Sequence, residues 1–251
     1  MSPAPAPTPV AMPLAGDAAG EFLVLIPAFN EAQRLPNVLR ELGTLKEPHR
    51  VVVIDDGSRD KTAERARDLG ATVLRLPFNL GYGSALQTGY KYAHAAKASL
   101  VVQMDADGQH DPRFIPELIA PIRDGSADLV IGSRFARQTS YRMGWLHSLG
   151  RRLFQRVARV AGLHVTDPTS GLQAMNGSVL ELYSGDFFPS DYPDVDVLLE
   201  AFRRGLRIRE CAVEMRPGER PSTLHGGLRS FYYVYRLTLA LWAGVRAGNT
   251  R

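Results

Sequence analysis

Cysteine is nearly absent. Cys211 stands alone in 251 residues, so no disulfide can form within the chain, and a reducing compartment suits it. Long apolar runs are missing too: no stretch reaches the roughly 18 uninterrupted apolar residues that a membrane-spanning helix needs. The first twenty residues contain no lysine or arginine but five of the 17 prolines. They lack the basic opening of a secretory signal, and residues 1–20 read as a disordered Pro/Ala-rich tail. The six histidines show no zinc spacing, and no P-loop, G-x-S-x-G or metalloprotease signature occurs. These absences lead us to expect a cytoplasmic protein, with the inner membrane face open to it as a peripheral surface.

Lysine is also missing from the whole second half, and this exposes an asymmetry in the charge. Residues 1–133 carry 13 basic and 16 acidic side chains; residues 134–251 carry 17 basic ones, all arginine, and 10 acidic. The overall +4 thus hides an acidic front and an arginine-rich back suited to anions: phosphates or an acidic membrane. No nucleic-acid-binding motif accompanies the charge, so nucleic acid is not an expected partner.

What the chain does have is alternation. "EFLVLIPAF", "RVVVIDDGS", "ATVLRLP", "SLVVQMDAD" and "ADLVIGSRF" are short strand-like runs. Between them stand helical stretches, such as "EAQRLPNVLRELGTL" with apolar residues at Leu35, Val38, Leu39 and Leu42. This pattern predicts an α/β domain with a mostly parallel central sheet and helices on both faces. We expect one such domain over residues 21–227. Over 228–251, "RSFYYVYRLTLALWAGVR" predicts a basic amphipathic helix that packs on the core or lies in a membrane interface. "GRRLFQRVARVAG" has the same two readings.

Ligands of such sheets lie beyond the carboxyl ends of the strands. The residues that follow the strands are Pro27, Phe29, Asn30 and Glu31, then Asp55 and Asp56, then Asp105, Asp107 and Gln109, then Ser133 and Arg134. All should converge on one edge. Asp105-Ala106-Asp107 on its own reads as a turn. At the end of a buried strand, beside other acids, two carboxylates can hold a hard cation such as Mg²⁺ or Mn²⁺ and leave positions open for substrate phosphate. Gln109 is then a further candidate ligand. Asp56 can cap a helix as well as touch a ligand. "NLGYG" puts Gly81 and Gly83 ahead of a helix, where backbone N–H groups can meet an anion. "VTDPTSG" is either a structural turn or a loop that turns Asp167 toward the reaction as a base or electrostatic group. In "RPGERPSTLHGGLR", Arg216 and Arg220 belong either to a phosphate-binding flap or to a solvated loop.

Taken in order, "VLIPAFNEAQRL", "VVVIDDGSRDKT", "NLGYGSALQTGY", "VVQMDADGQHDP", "DLVIGSRF" and "DPTSGLQAMN" resemble the family-2 inverting glycosyltransferases. The chain is most similar to their dolichol-phosphate mannosyltransferase and polyprenyl-phosphate glycosyltransferase branch. The resemblance implies a GT-A (Rossmann-like) fold, a nucleotide-sugar donor and a divalent cation. It implies that Pro27, Phe29, Glu31, Asp55, Asp56 and Gly81 line the donor nucleotide, and that Asp105, Ala106, Arg216 and Arg220 meet its diphosphate. Asp105, Asp107 and Gln109 are implied for the metal, and Asp107, Asp167 and Arg134 for the chemistry. The implied acceptor is a polyprenyl or dolichyl phosphate; a soluble or glycan hydroxyl is the alternative. Tyr82 departs from the basic residue that relatives often carry at its position. A nucleotidyltransferase is disfavoured because no glycine-rich loop follows the first strand.

Overall fold

The computed structural model describes residues 20–136, 155–156, 158–159, 162–191, 193 and 195–216. The N-terminal tail, most of the "GRRLFQRVARVAG" segment, Arg220 and the helix expected over 228–251 lie outside the described residues. In chain order the elements are β1 (Phe22–Ala28), α1 (Leu35–Leu42), β2 (His49–Asp55), α2 (Thr62–Asp68), β3 (Thr72–Arg75), α3 (Tyr82–Ala95) and β4 (Leu100–Gln103). A short 3₁₀ turn (Pro112–Phe114) leads into α4 (Ile115–Arg123), followed by β5 (Leu129–Ser133) and β6 (Gln173–Asn176). Then come α5 (Gly177–Ser184), α6 (Val195–Arg203) and β7 (Ile208–Ala212).

The strands form one seven-stranded sheet in the order β3-β2-β1-β4-β6-β5-β7. Only β6 runs against its neighbours; the other paired strands are parallel. All seven residues of β1 are buried, because helices cover both faces of the sheet. Side chains alternate across a strand, so Phe22, Val24 and Ile26 join the core beneath α1 and α4. Leu23 and Leu25 join the opposite core beneath α3, α5 and α6. The predicted stripe of α1 is buried as expected: Leu35, Val38, Leu39 and Leu42 all face the sheet.

The connections reverse direction between β1 and β4. The chain moves outward from β1 through β2 to β3, then returns to place β4 on the other flank of β1. The crevice beyond the carboxyl ends of β1 and β4 is therefore the switch point where ligands of open α/β sheets bind.

One carboxylate ties the far end of the sheet together. Asp128, just before β5, accepts from the Arg207 amide (2.8 Å) and from Arg207 Nε and Nη2 (2.9 Å each) before β7. It also accepts from Asn176 Nδ2 (2.8 Å) at the end of β6. The Arg207 hydrogen bonds hold its carboxyl down at about 2, from an ordinary 3.8. A depressed carboxylate stabilises the fold above its unfolded value and loses that contribution as pH falls toward the folded one. Asp128→Asn should therefore cost about 1 kcal/mol near neutral pH, a figure moderated by the solvent around Arg207. Urea unfolding should show the gap between variant and wild type closing as pH falls from about 4 toward 2.

Candidate active site

The loops that leave β1 and β2 brace each other. The Asn30 amide donates to Ser58 Oγ (2.9 Å), the Arg59 amide to Asn30 Oδ1 (2.9 Å) and the Glu31 amide to Thr62 Oγ1 (2.9 Å). This leaves Phe29 42% exposed at the rim, with Pro27 buried at its base. Glu31 holds Arg34 Nη1 with both carboxylate oxygens (3.1 and 2.8 Å).

Asp55 and Asp56 are buried, and both are bonded by groups of the protein. Asp55 Oδ1 accepts from the Ser58 amide (3.0 Å), while Oδ2 faces Arg75 Nε at 3.2 Å. Asp56 accepts from the amides of Leu80 (2.7 Å) and Gly81 (3.0 Å) and from Asn79 Nδ2 (2.9 Å). Burial raises its carboxyl above the ordinary value, and the two backbone bonds oppose this. The sequence read Asp56 as a cap or ligand contact; here it organises the 79–81 loop. Gly57 turns the chain at φ +68°, where a Cβ would lie 2.5 Å from the Phe78 carbonyl carbon, so no other residue fits between the two loops.

The anion cradle expected around Gly81 and Gly83 is filled by protein acceptors. Gly81 donates to Asp56; Gly83 and Ser84 donate to the Asp191 and Ser190 carbonyls (2.9 Å each). The first turn of α3 is capped by the 189–191 segment, and these N–H groups are spent on holding it.

Beyond β4 the chain delivers Asp105 and Asp107 to the edge, with Ala106 buried between them. Asp105 Oδ1 accepts from the Tyr82 hydroxyl at 2.8 Å. The Tyr82 ring is 36% exposed, yet its hydroxyl points inward. Burial of that hydroxyl and the neighbouring Asp105 carboxylate push the phenol well above its ordinary range, so it stays a donor. Buried His110 sits under the same turn: its Nδ1 accepts from the Asp105 amide (3.2 Å), and its Nε2 lies 3.7 Å from Asp105 Oδ2. Asp107 is bonded by Gln109, whose amide donates to Oδ1 (2.9 Å) and whose side-chain Nε2 donates to Oδ2. Gln109, expected as a metal ligand through oxygen, thus presents a donor to Asp107.

Because β6 is antiparallel, its start lies at the edge where β4 and β5 end. The loop before it, residues 166–172, is carried into the site. Asp167, fully buried, forms a two-point ion pair with Arg134: Nε to Oδ2 (2.6 Å) and Nη2 to Oδ1 (2.7 Å). Glu210 of β7 fixes the loop backbone by accepting from the Thr166 and Asp167 amides (2.8 Å). Gly171 packs directly on Asp105; a Cβ there would come within 2.4 Å of Asp105 Oδ2. The absent side chain lets the loop backbone close over one of the two carboxylates.

Two half-exposed carboxylates with one residue between them fit a hard cation that takes oxygen ligands. Among the described residues no three His, Cys, Asp or Glu side chains cluster to enclose a metal. A cation held by Asp105 and Asp107 would complete its shell with water and substrate oxygens. Arg216 lies apart from this pair. Its amide donates to the Gln109 carbonyl (2.9 Å), but its guanidinium reaches Glu41 (2.8 Å) and Asp111 (3.6 Å).

The model of Glycosyl transferase family 2 matches residues 23–183, from β1 to the end of α5. The chain belongs to this family. It is 34% identical over 246 residues to the undecaprenyl-phosphate mannosyltransferase of Micrococcus luteus, covering 90% of this chain and 97% of that protein. It is 34% identical over 169 residues to the dolichol-phosphate mannosyltransferase of Pyrococcus furiosus, covering 63% of this chain and 47% of that protein. Among solved structures, glucosyl-3-phosphoglycerate synthase from Mycobacterium tuberculosis, in complex with Mn²⁺, UDP and glucosyl-3-phosphoglycerate, superposes with a TM-score of 0.69. It is 24% identical and covers 89% of this chain and 81% of its own. The fold is GT-A, and the protein is a glycosyltransferase.

The sequence reading missed three residues of this site. His110 carried no signal above that of a polar loop residue, Gly171 looked like an ordinary turn glycine, and Glu210 stood unremarked in an alternating strand. Gly171 offers a direct check. Gly171→Ala should displace the Asp105 carboxylate by an ångström or so and lower turnover by about 10²-fold. Circular dichroism should show the fold retained; turnover within a few-fold of wild type would contradict this packing.

Proposed function

We propose that the chain transfers a sugar, with inversion, from a UDP- or GDP-sugar to a polyprenyl or dolichyl phosphate, assisted by Mg²⁺ or Mn²⁺. The observation that carries this reading is the state of Asp167. An acceptor hydroxyl must lose its proton as it attacks, which calls for a carboxylate base; a phosphate acceptor is already anionic. Both oxygens of Asp167 are engaged by Arg134; Asp167 is fully buried and Arg134 partly so. Asp167 is thus suited to fix Arg134, and Arg134 to attract an anionic acceptor.

The similarity to the Micrococcus luteus enzyme supports the same acceptor class, since it runs nearly end to end in both proteins. The arginine-rich second half supports an anionic surface. Among the described residues no helix is long and apolar enough to cross a membrane.

The reacting bond joins the anomeric carbon to the donor's diphosphate. Asp105 and Asp107 would hold the cation, which would offset the negative charge that grows on the departing nucleoside diphosphate. Tyr82 and His110 keep Asp105 in place. The braced loops after β1 and β2 form a firm floor for the nucleoside, with Phe29 as the exposed face against which a base can stack.

The test is nucleoside diphosphate release from UDP- and GDP-sugars, with Mn²⁺, on adding short-chain polyprenyl phosphate. Wild type should release it with lipid phosphate and lose that release on chelation; Asp107→Ala should fall by at least about 10²-fold. Undiminished release by Asp107→Ala would refute the metal assignment. Turnover on water-soluble acceptors alone would refute the lipid-phosphate assignment.

A further inference from the structure

A chain of side-chain hydrogen bonds runs through the interior and ends on Asp105. The Tyr90 hydroxyl donates to Gln103 Oε1, Gln103 Nε2 donates to the Tyr82 hydroxyl oxygen (3.3 Å), and the Tyr82 hydroxyl donates to Asp105 Oδ1 (2.8 Å). Tyr90 and Gln103 are buried, at 1% and 4% exposure. The Tyr90 ring packs in a triangle with Tyr183 and Phe188, their centroids 5.5 and 5.4 Å away from it and 5.4 Å from each other.

The direction of this chain is forced. An ionised carboxylate only accepts, so Tyr82 must give its single hydrogen to Asp105. Its oxygen can then only accept from Gln103, which turns the Gln103 amide nitrogen toward Tyr82 and its oxygen toward Tyr90. Tyr90 must therefore donate. The amide orientation and both hydroxyl rotors follow from the charge on one carboxylate, and the aromatic packing around Tyr90 fixes the far end.

We propose that Tyr82 is a positioning residue for the divalent cation: its hydroxyl, held by Gln103 and Tyr90, locks the carboxylate of Asp105 in the rotamer that receives the metal. This rests on the proposed metal reading of Asp105 and Asp107. Hydrogen bonds of this kind orient a ligand before the cation arrives, so the cation does not bear the cost of freezing it. A phenol suits the position because it is a neutral donor and leaves the negative charge of the pair undiminished. Gly83 brings the start of α3 against the 189–191 segment, and the cap formed there holds the backbone that carries Tyr82.

The experiment is Mn²⁺ titration followed by electron paramagnetic resonance of the free ion, with UDP and, separately, GDP present. Wild type, Tyr82→Phe, Tyr90→Phe and Asp107→Ala are compared, and metal-free melting is measured for each. Tyr82→Phe, whose ring keeps its exposed seat, should bind Mn²⁺ about 10- to 100-fold more weakly and melt like wild type without metal. Tyr90→Phe, two links away, should shift in the same direction by less. Affinity of Tyr82→Phe within twofold of wild type, or tighter, would overturn the proposal. If Asp107→Ala bound as tightly as wild type, the metal reading itself would fail and this inference with it, whatever Tyr82→Phe did.

Discussion

The antiparallel insertion of β6 between β4 and β5 is the constraint on which the site depends. A parallel strand there would begin at the opposite edge and carry the 166–172 loop away from the acids. With β6 reversed, Gln173 pairs with Gln103 on one side and Ile131 on the other, so the loop before it starts level with the ends of β4 and β5. Gly171 then meets Asp105, and Asp167 meets Arg134. Register admits no slip: a shift of one residue would turn Ala174, now buried in one core, toward the other face, and Gly171 with it. The Asp128 clamp at the far end of β5, β6 and β7 holds this register from the opposite edge.

The acids divide into two kinds by what surrounds them. Asp55, Asp56 and Asp167 are buried and bonded by protein donors: amides for the first two, and the Arg134 fork for the third. Each such group would cost several kcal/mol if left unpaired, so all three act as staples between loops. Asp105 and Asp107 are different. They are half-exposed, and their carboxylates accept from the Tyr82 phenol and from the amide and side chain of Gln109, none of which carries a formal charge. Negative charge is thus left uncompensated at one place on the edge, while arginine neutralises it elsewhere.

The fold was readable because its signals are local. Buried strands separated by amphipathic helices announce a doubly covered parallel sheet, and the stripe at Leu35, Val38, Leu39 and Leu42 needs no tertiary knowledge. The position of the candidate site was readable for the same reason, since strand ends are visible as the points where apolar runs stop. What was hidden was who bonds to whom. Nothing in "NLGYG" says that the Leu80 and Gly81 amides go to Asp56, or that the Gly83 amide goes to a residue more than a hundred positions later. Nothing in "DADGQHDP" says that Gln109 turns its nitrogen to Asp107 or that His110 supports Asp105. The reversal of β6 was also hidden, because a short apolar alternation reads the same in either direction. Such pairings depend on long-range placement, which a pattern along the chain does not encode.

Arg216 shows how a long-range pairing can still leave a residue available. Its backbone is fixed by the hydrogen bond from its amide to the Gln109 carbonyl and by the bridge between Met215 and His110, while its guanidinium turns to Glu41 and Asp111. Its ion pair with Glu41 is solvent-exposed on both sides, at 45% and 40%. Pairs of that kind are worth about 0–1 kcal/mol. Hydrogen bonds from arginine to a phosphate in a less solvated cleft are stronger, about 1.5–3 kcal/mol each. Under the proposed function, a diphosphate over Asp105 and Asp107 would compete for Arg216 against the exposed Glu41 pair and a longer, 3.6 Å contact with buried Asp111.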